Sequence, residues 1–133
     1  MIMRILIAED DFVSRKYLFK FLSKYGECDM TVDGIETVEA FAIAHDSGNP
    51  YDLLCLDIMM PKIDGLKALN TIREIERRKK IQDSKRCKVI MISALSETEV
   101  KVDDSKKEYE VYITKPIEIE NIISAMKELK LID

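Results

Sequence analysis

Tyr51-Asp52-Leu53-Leu54-Cys55-Leu56-Asp57 runs directly into Ile58-Met59-Met60-Pro61-Lys62-Ile63-Asp64-Gly65. Apart from Asp52, the first stretch is continuously apolar until Asp57, which fits a short strand covered on both faces. The second stretch holds Pro61 and the pair Asp64-Gly65, a turn that opens a helix. That helix extends to about Lys80, with Leu66, Leu69, Ile72 and Ile75 at helical spacing. Strand, loop and helix make one βα unit, and the unit recurs along the chain.

The first copy begins with Met3 to Ala8, passes Glu9-Asp10-Asp11, and continues as a helix carrying Phe12, Val13, Leu18, Phe21, Leu22 and Tyr25 before Gly26. The second has residues 28–32 as a strand, the pair Asp33-Gly34, and a helix marked by Ile35, Val38, Phe41 and Ala42. Lys88 to Ile92 is a fourth strand. Ser96 and Glu99 form a capping-box pattern for a weak helix, with only Val100 and Val102 apolar before Asp103-Asp104-Ser105-Lys106-Lys107. Tyr109 to Ile113 and a stripe of Ile119, Ile122, Ile123, Met126 and Leu129 complete the series. Five βα units predict a doubly wound α/β fold, a five-stranded parallel sheet with helices on both faces. Right-handed crossovers then gather the loops that follow the strands along one edge.

The bulk properties narrow the function. A chain of 133 residues suits a single domain spanning residues 1–133. A net charge of −4 disfavours nucleic acid or an anionic membrane as a direct partner. Cys28, Cys55 and Cys87 lack metal-ligand or paired spacing and fit reduced thiols of a cytoplasmic protein. No apolar stretch reaches the roughly 20 residues of a membrane span. His45, at the end of the second helix, is expected to be exposed and away from the chemistry.

Four strand ends carry reactive groups: Glu9-Asp10, Asp57, Ser93, and Lys115-Pro116. Three carboxylates brought together repel unless a cation joins them, and Mg2+ is the hard ion that takes such oxygens. Asp57 beside a metal and Lys115 becomes a carboxylate nucleophile able to form an acyl phosphate, with the Ser93 hydroxyl as a further donor. Asp11 is expected to cap the following helix instead. The Lys115-Pro116 bond is a candidate cis peptide.

These residues resemble the receiver domain of two-component response regulators. The likeness lies in Ile-Ala-Glu9-Asp10-Asp11, Leu-Asp57-Ile-Met-Met-Pro-Lys-Ile-Asp-Gly65, Ile-Ser93-Ala94 and Tyr112-Ile-Thr-Lys115-Pro116. It implies a flavodoxin-like strand order 2-1-3-4-5, the order the family's chemotaxis regulator has. It implies that Asp57 is the phosphoacceptor for a sensor histidine kinase or histidine phosphotransfer protein. Asp10, Asp57 and the backbone carbonyl of Met59 would bind Mg2+ directly, and Glu9 through a water. Ser93 and Tyr112 match the switch positions, through which phosphate would reshape the face of the fourth helix, fifth strand and fifth helix. A downstream protein target, and a monomer or a phosphorylation-dependent dimer, would follow. With no output domain expected after the last helix, the module would act on another protein or pass its phosphoryl group along a relay.

Three departures from the family stand out. Lys107-Glu108-Tyr109-Glu110-Val111 replaces small residues around a glycine, so residues 97–108 are expected to be mobile. Ile117 replaces a frequent aromatic. Met59 and Leu95 flank the site and cannot hydrogen-bond a water, which predicts slow loss of phosphate. Rival readings are weaker. A haloacid-dehalogenase-type phosphatase wants an acid where Met59 stands, and a flavodoxin-like cofactor carrier would be repelled by Glu9-Asp10-Asp11. A phosphate-independent adaptor is a further alternative.

Overall fold

The computed structural model describes residues 2–100 and 107–133. In chain order the elements are β1 (Arg4–Ala8), α1 (Phe12–Leu22), β2 (Glu27–Thr31), α2 (Gly34–Asp46), β3 (Leu53–Asp57), α3 (Gly65–Arg78), a 3-10 turn (Asp83–Lys85), β4 (Lys88–Ser93), α4 (Glu97–Val100), β5 (Val111–Thr114) and α5 (Ile119–Glu128). The strands form one parallel sheet in the order β2-β1-β3-β4-β5. The expected fold and strand order are both present.

The continuous apolar runs follow from alternation, because successive residues of a strand face opposite sides and both sides are covered. Leu6, Leu54, Leu56, Val89 and Met91 pack with Phe41 of α2 and Leu69 and Ile72 of α3. Ile5, Ile7, Leu53, Cys55, Ile90, Ile92 and Ile113 pack with Leu18 and Leu22 of α1 and Ile122 and Met126 of α5. Three aspartates begin the helices that follow β1, β2 and β3. Asp11, Asp33 and Asp64 accept from the backbone N–H groups of Ser14, Glu36 and Lys67 at 2.8, 2.8 and 2.9 Å. Each such cap is worth about 1 kcal/mol.

Several local readings change. The first helix ends at Leu22, a turn before Gly26, and Phe12 and Val13 lie on its exposed side. Tyr109 precedes the fifth strand and packs into the core from a loop. His45 is half-buried, its ring tilted on Phe41 at 4.9 Å, and burial lowers its pKa. The Ser96–Glu99 capping box forms in both directions, at 3.1 and 3.3 Å. The expectation for residues 101–106 lies outside the described residues. Positive φ among the described residues other than glycine falls at Lys62, Lys80 and Lys130, so residues 107–111 need no left-handed backbone.

The largest departure is electrostatic. The sequence Glu76-Arg77-Arg78-Lys79-Lys80 reads as a solvated helix end, yet Glu76 is 1% exposed, as is Arg73 one turn earlier. Arg73 meets the Glu76 carboxylate at 2.8 Å and Glu110 at 3.1 Å, and donates to the carbonyls of Cys87 and Glu108. Glu76 also accepts from the Cys87 N–H, and Glu110 from the Val89 N–H. A paired, fully bonded guanidinium thus ties α3 to the starts of β4 and β5. Burial works against the Arg73 charge, but the Glu76 bond and the Glu110 charge outweigh it and raise its pKa.

Candidate phosphoacceptor site

Register brings the acids together. β1 pairs with β3 so that Ala8 lies opposite Leu56, which sets Glu9 level with Asp57 at the same sheet edge. The Glu9 N–H is held by the Thr31 carbonyl at 3.1 Å. Asp57 is the last residue of β3, and the loop behind it folds back tightly. The Gly65 N–H donates to the Ile58 carbonyl at 2.8 Å, and a Cβ on Gly65 would strike the Asp57 carbonyl oxygen. Only glycine lets α3 begin so close beneath the acid.

Oxygen atoms of Glu9, Asp10 and Asp57 lie within 4.8 Å of one another. Glu9 and Asp57 are buried while Asp10 is exposed, so the group opens to solvent on one side. Lys115 enters from the turn after β5. Its Nζ is 3.0 Å from Glu9 Oε2 and 3.4 Å from Asp57 Oδ2. Its backbone N–H is fixed by the Ser93 carbonyl at 2.7 Å, and the following Lys115-Pro116 peptide is cis. Ser93 is buried at the end of β4, where its Oγ accepts from the Leu95 N–H. The Met59 N–H donates to Asp57 Oδ1 at 3.1 Å, and the Met59 side chain is 57% exposed at the rim.

The charges respond to this crowding. Glu9 is pushed up to about 7, by burial first and then by its hydrogen bond with Asp57 and that residue's charge. The Lys115 hydrogen bond and the Asp11 N–H pull it back. For Lys115, burial is outweighed by the bond to Glu9 and the charges of Asp57 and Glu9, so its pKa is raised. An all-oxygen group with one buried acid at the edge of ionisation suits a hard divalent cation, which relieves the repulsion that Lys115 only partly offsets.

The strand ends therefore bring Glu9, Asp10, Asp57 and Lys115 within contact range. Ser93 joins them through the Lys115 backbone. Tyr112 lies one turn of contacts away, its hydroxyl donating to the Leu95 carbonyl at 2.6 Å. Asp11 does cap α1 as expected. The residue that sequence reasoning missed is Tyr109, whose ring meets that of Tyr112 at 5.7 Å. The signal for it was the bulky segment standing where small residues are usual.

Residues 5–127 match the family model of the response regulator receiver domain. The chain belongs to the response regulator receiver domain family. Members of this family serve phosphorylation-dependent two-component signalling. The chain is 33% identical to the chemotaxis protein CheY of Treponema pallidum, over 93% of its own length and 83% of that protein. It is 31% identical to hybrid signal transduction histidine kinase K of Dictyostelium discoideum, over 93% of its own length but only 10% of the kinase. Among solved structures, CheY in the CheX–CheY–BeF3–Mg2+ complex of Borrelia burgdorferi superposes with a TM-score of 0.78 at 28% identity, covering 98% of this chain and 90% of that one. The response regulator TrrA of Thermotoga maritima, bound to Mg2+ and BeF, gives 0.70 at 30% identity, covering 96% and 98%. Among the described residues, no helix of this receiver domain is long and apolar enough to cross a membrane.

Proposed function

We propose that this receiver domain is a signalling switch whose Asp57 accepts a phosphoryl group from the histidine of a sensor kinase or histidine phosphotransfer protein. The observation that carries this reading is Lys115 Nζ poised 3.4 Å from Asp57 and 3.0 Å from Glu9, beside the carboxylate of Asp10. The donor's N–P bond breaks as an Asp57 oxygen forms the new O–P bond, and a donor ring protonated on its other nitrogen leaves as neutral imidazole. Lys115 stays within reach to pair a phosphoryl oxygen, and the Ser93 hydroxyl turns from the Leu95 N–H to another. Asp10, Asp57 and the Met59 carbonyl would hold Mg2+, with Glu9 acting through a water. When bound there, Mg2+ neutralises the carboxylates and the incoming phosphoryl oxygens. Exposed Phe12, Val13 and Met59 give a protein donor apolar surface around the acid. The reshaped face around Tyr112 then changes affinity for a downstream protein.

Intact mass after incubation with acetyl phosphate and Mg2+ tests this directly. One phosphoryl group is expected on the wild type, and none on Asp57→Asn or without Mg2+. Equal modification of wild type and Asp57→Asn would place the chemistry elsewhere. A relay role, passing the phosphoryl group on to a histidine phosphotransfer protein, is the second reading. Back-transfer of the phosphoryl group to such a protein separates the two.

Two further outcomes belong to the pocket. Because Glu9 titrates near 7, Mg2+ binding below that pH must release its proton. Mg2+ affinity should rise from pH 5.5 to about 7 and then level off. Calorimetry in two buffers of different ionisation enthalpy should detect the proton at pH 6 and little of it at pH 8. Glu9's pKa is raised above its unfolded value of 4.5, so its contribution to metal-free stability is full below 4.5 and lost as pH rises through 7. Separately, Met59→Asn supplies a side chain that can hold an attacking water. One added hydrogen bond of about 1 kcal/mol corresponds to a roughly five-fold faster loss of phosphate. An unchanged decay rate would remove Met59 as the brake.

A further inference from the structure

Tyr109 sits three residues before Tyr112, outside β5, and is 5% exposed. Its hydroxyl donates to Glu97 Oε2 at 2.6 Å, on the first residue of α4. That bond is the main reason the Glu97 carboxyl lies below its ordinary range. The Tyr109 ring meets the Tyr112 ring at 5.7 Å and 58°. Tyr112 in turn donates to the Leu95 carbonyl, and the Leu95 N–H donates to Ser93 Oγ. On either side of Tyr109, the Glu108 carbonyl and the Glu110 carboxylate are both gripped by buried Arg73. The ring is therefore fixed at its backbone by α3 and at its tip by α4, and it bears on Tyr112 between them.

We propose that Tyr109 is a positioning residue for the switch: fastened to Glu97 and anchored by Arg73, it keeps Tyr112 seated against the Leu95 carbonyl before any phosphate reaches Asp57. The proposal rests on the reading of Asp57 as phosphoacceptor. In that reading the phosphate draws Ser93 toward it, and Tyr112 occupies the space on the β4–α4 side. A seat already filled favours the phosphate-binding arrangement. Coupling between two sites is reciprocal, so a contact that stabilises the seat also tightens the Asp57 pocket for a phosphoryl mimic. A receiver with a small residue at this position lacks the buttress and must draw Tyr112 in at the expense of phosphate affinity. The bulky Glu108-Tyr109-Glu110 segment thus acts as a preset bias toward the signalling face.

Two variants test this without emptying the core. Tyr109→Phe keeps the ring but loses the bond to Glu97, and Glu97→Ala removes the acceptor. The protein, labelled with 13C-tyrosine and assigned against Tyr112→Phe, is compared first without metal and then with Mg2+ and beryllofluoride. Both variants are expected to shift the Tyr112 ring signal in the metal-free protein. Both should weaken beryllofluoride binding by about 5-fold, the low end of ordinary coupling between sites, at temperatures well below melting. The loss from Tyr109→Phe should vanish when Tyr112 is also phenylalanine, which a merely structural role would not produce. An unmoved Tyr112 signal, or a moved signal with unchanged affinity, overturns the proposal. Should the wild type itself fail to bind beryllofluoride, the reading of Asp57 falls instead, and the metal-free Tyr112 signal still decides the seat.

Discussion

Glu76→Ala is expected to remove about 3–5 kcal/mol of folding stability, the usual cost of stripping one partner from a buried ion pair. For a domain whose whole stability is about 5–15 kcal/mol, that is roughly a fifth or more of the total. Arg73 cannot turn to water, because both side chains are 1% exposed and its other donors are committed to Glu110 and to the Cys87 and Glu108 carbonyls. The substitution also leaves the Cys87 N–H without the acceptor it has at 2.8 Å. Urea unfolding followed by circular dichroism should show a large fall in midpoint with little change in slope. Glu74→Ala, which removes an exposed partner of Arg77 and Arg78, should cost less than about 1 kcal/mol. Similar losses from the two variants would mean that the Arg73 charge is relieved by some route other than Glu76.

Glu76 also shows where a sequence stops being legible. It heads a run of four cations, and local chemistry reads such a run as a solvated helix end. Its burial depends on Cys87, which bonds to it, and on Glu110, which shares Arg73 with it; both arrive only after the sheet has formed, and no local pattern reports them. Phe12 and Val13 err in the other direction. Both are apolar, yet at roughly 100° per residue Val13 falls opposite Leu22 and Phe12 falls well off the face of Leu18, so both stay on the exposed side of α1. The strands and the site were legible for one shared reason. A parallel strand buried on both faces must be apolar throughout, so its end is marked by the first charged or hydroxyl residue. In this topology those ends converge on one edge. Glu9, Asp57, Ser93 and Lys115 could therefore be placed together from one-dimensional information. Tyr109 could not, because its meaning depends on which helix its hydroxyl reaches.

Lys115→Met should move two affinities in opposite directions. In the metal-free pocket the ammonium already pairs with Glu9 and Asp57 at 3.0 and 3.4 Å, so an arriving cation competes with it. Removing that competitor from a partly solvated pair should tighten Mg2+ by roughly 10-fold, well below the unscreened Coulomb figure. The beryllofluoride complex loses a charge-assisted hydrogen bond worth about 1.5–3 kcal/mol, so its affinity should fall roughly 10- to 100-fold at saturating Mg2+. Methionine keeps the apolar stem beside Pro116 and Ile117, which separates loss of charge from loss of packing. Isothermal titration with Mg2+ alone, and then with beryllofluoride at fixed Mg2+, measures both. If both affinities fell together, Lys115 would be organising the acids rather than balancing them. If neither moved, its place between Glu9 and Asp57 would have no part in phosphoryl recognition.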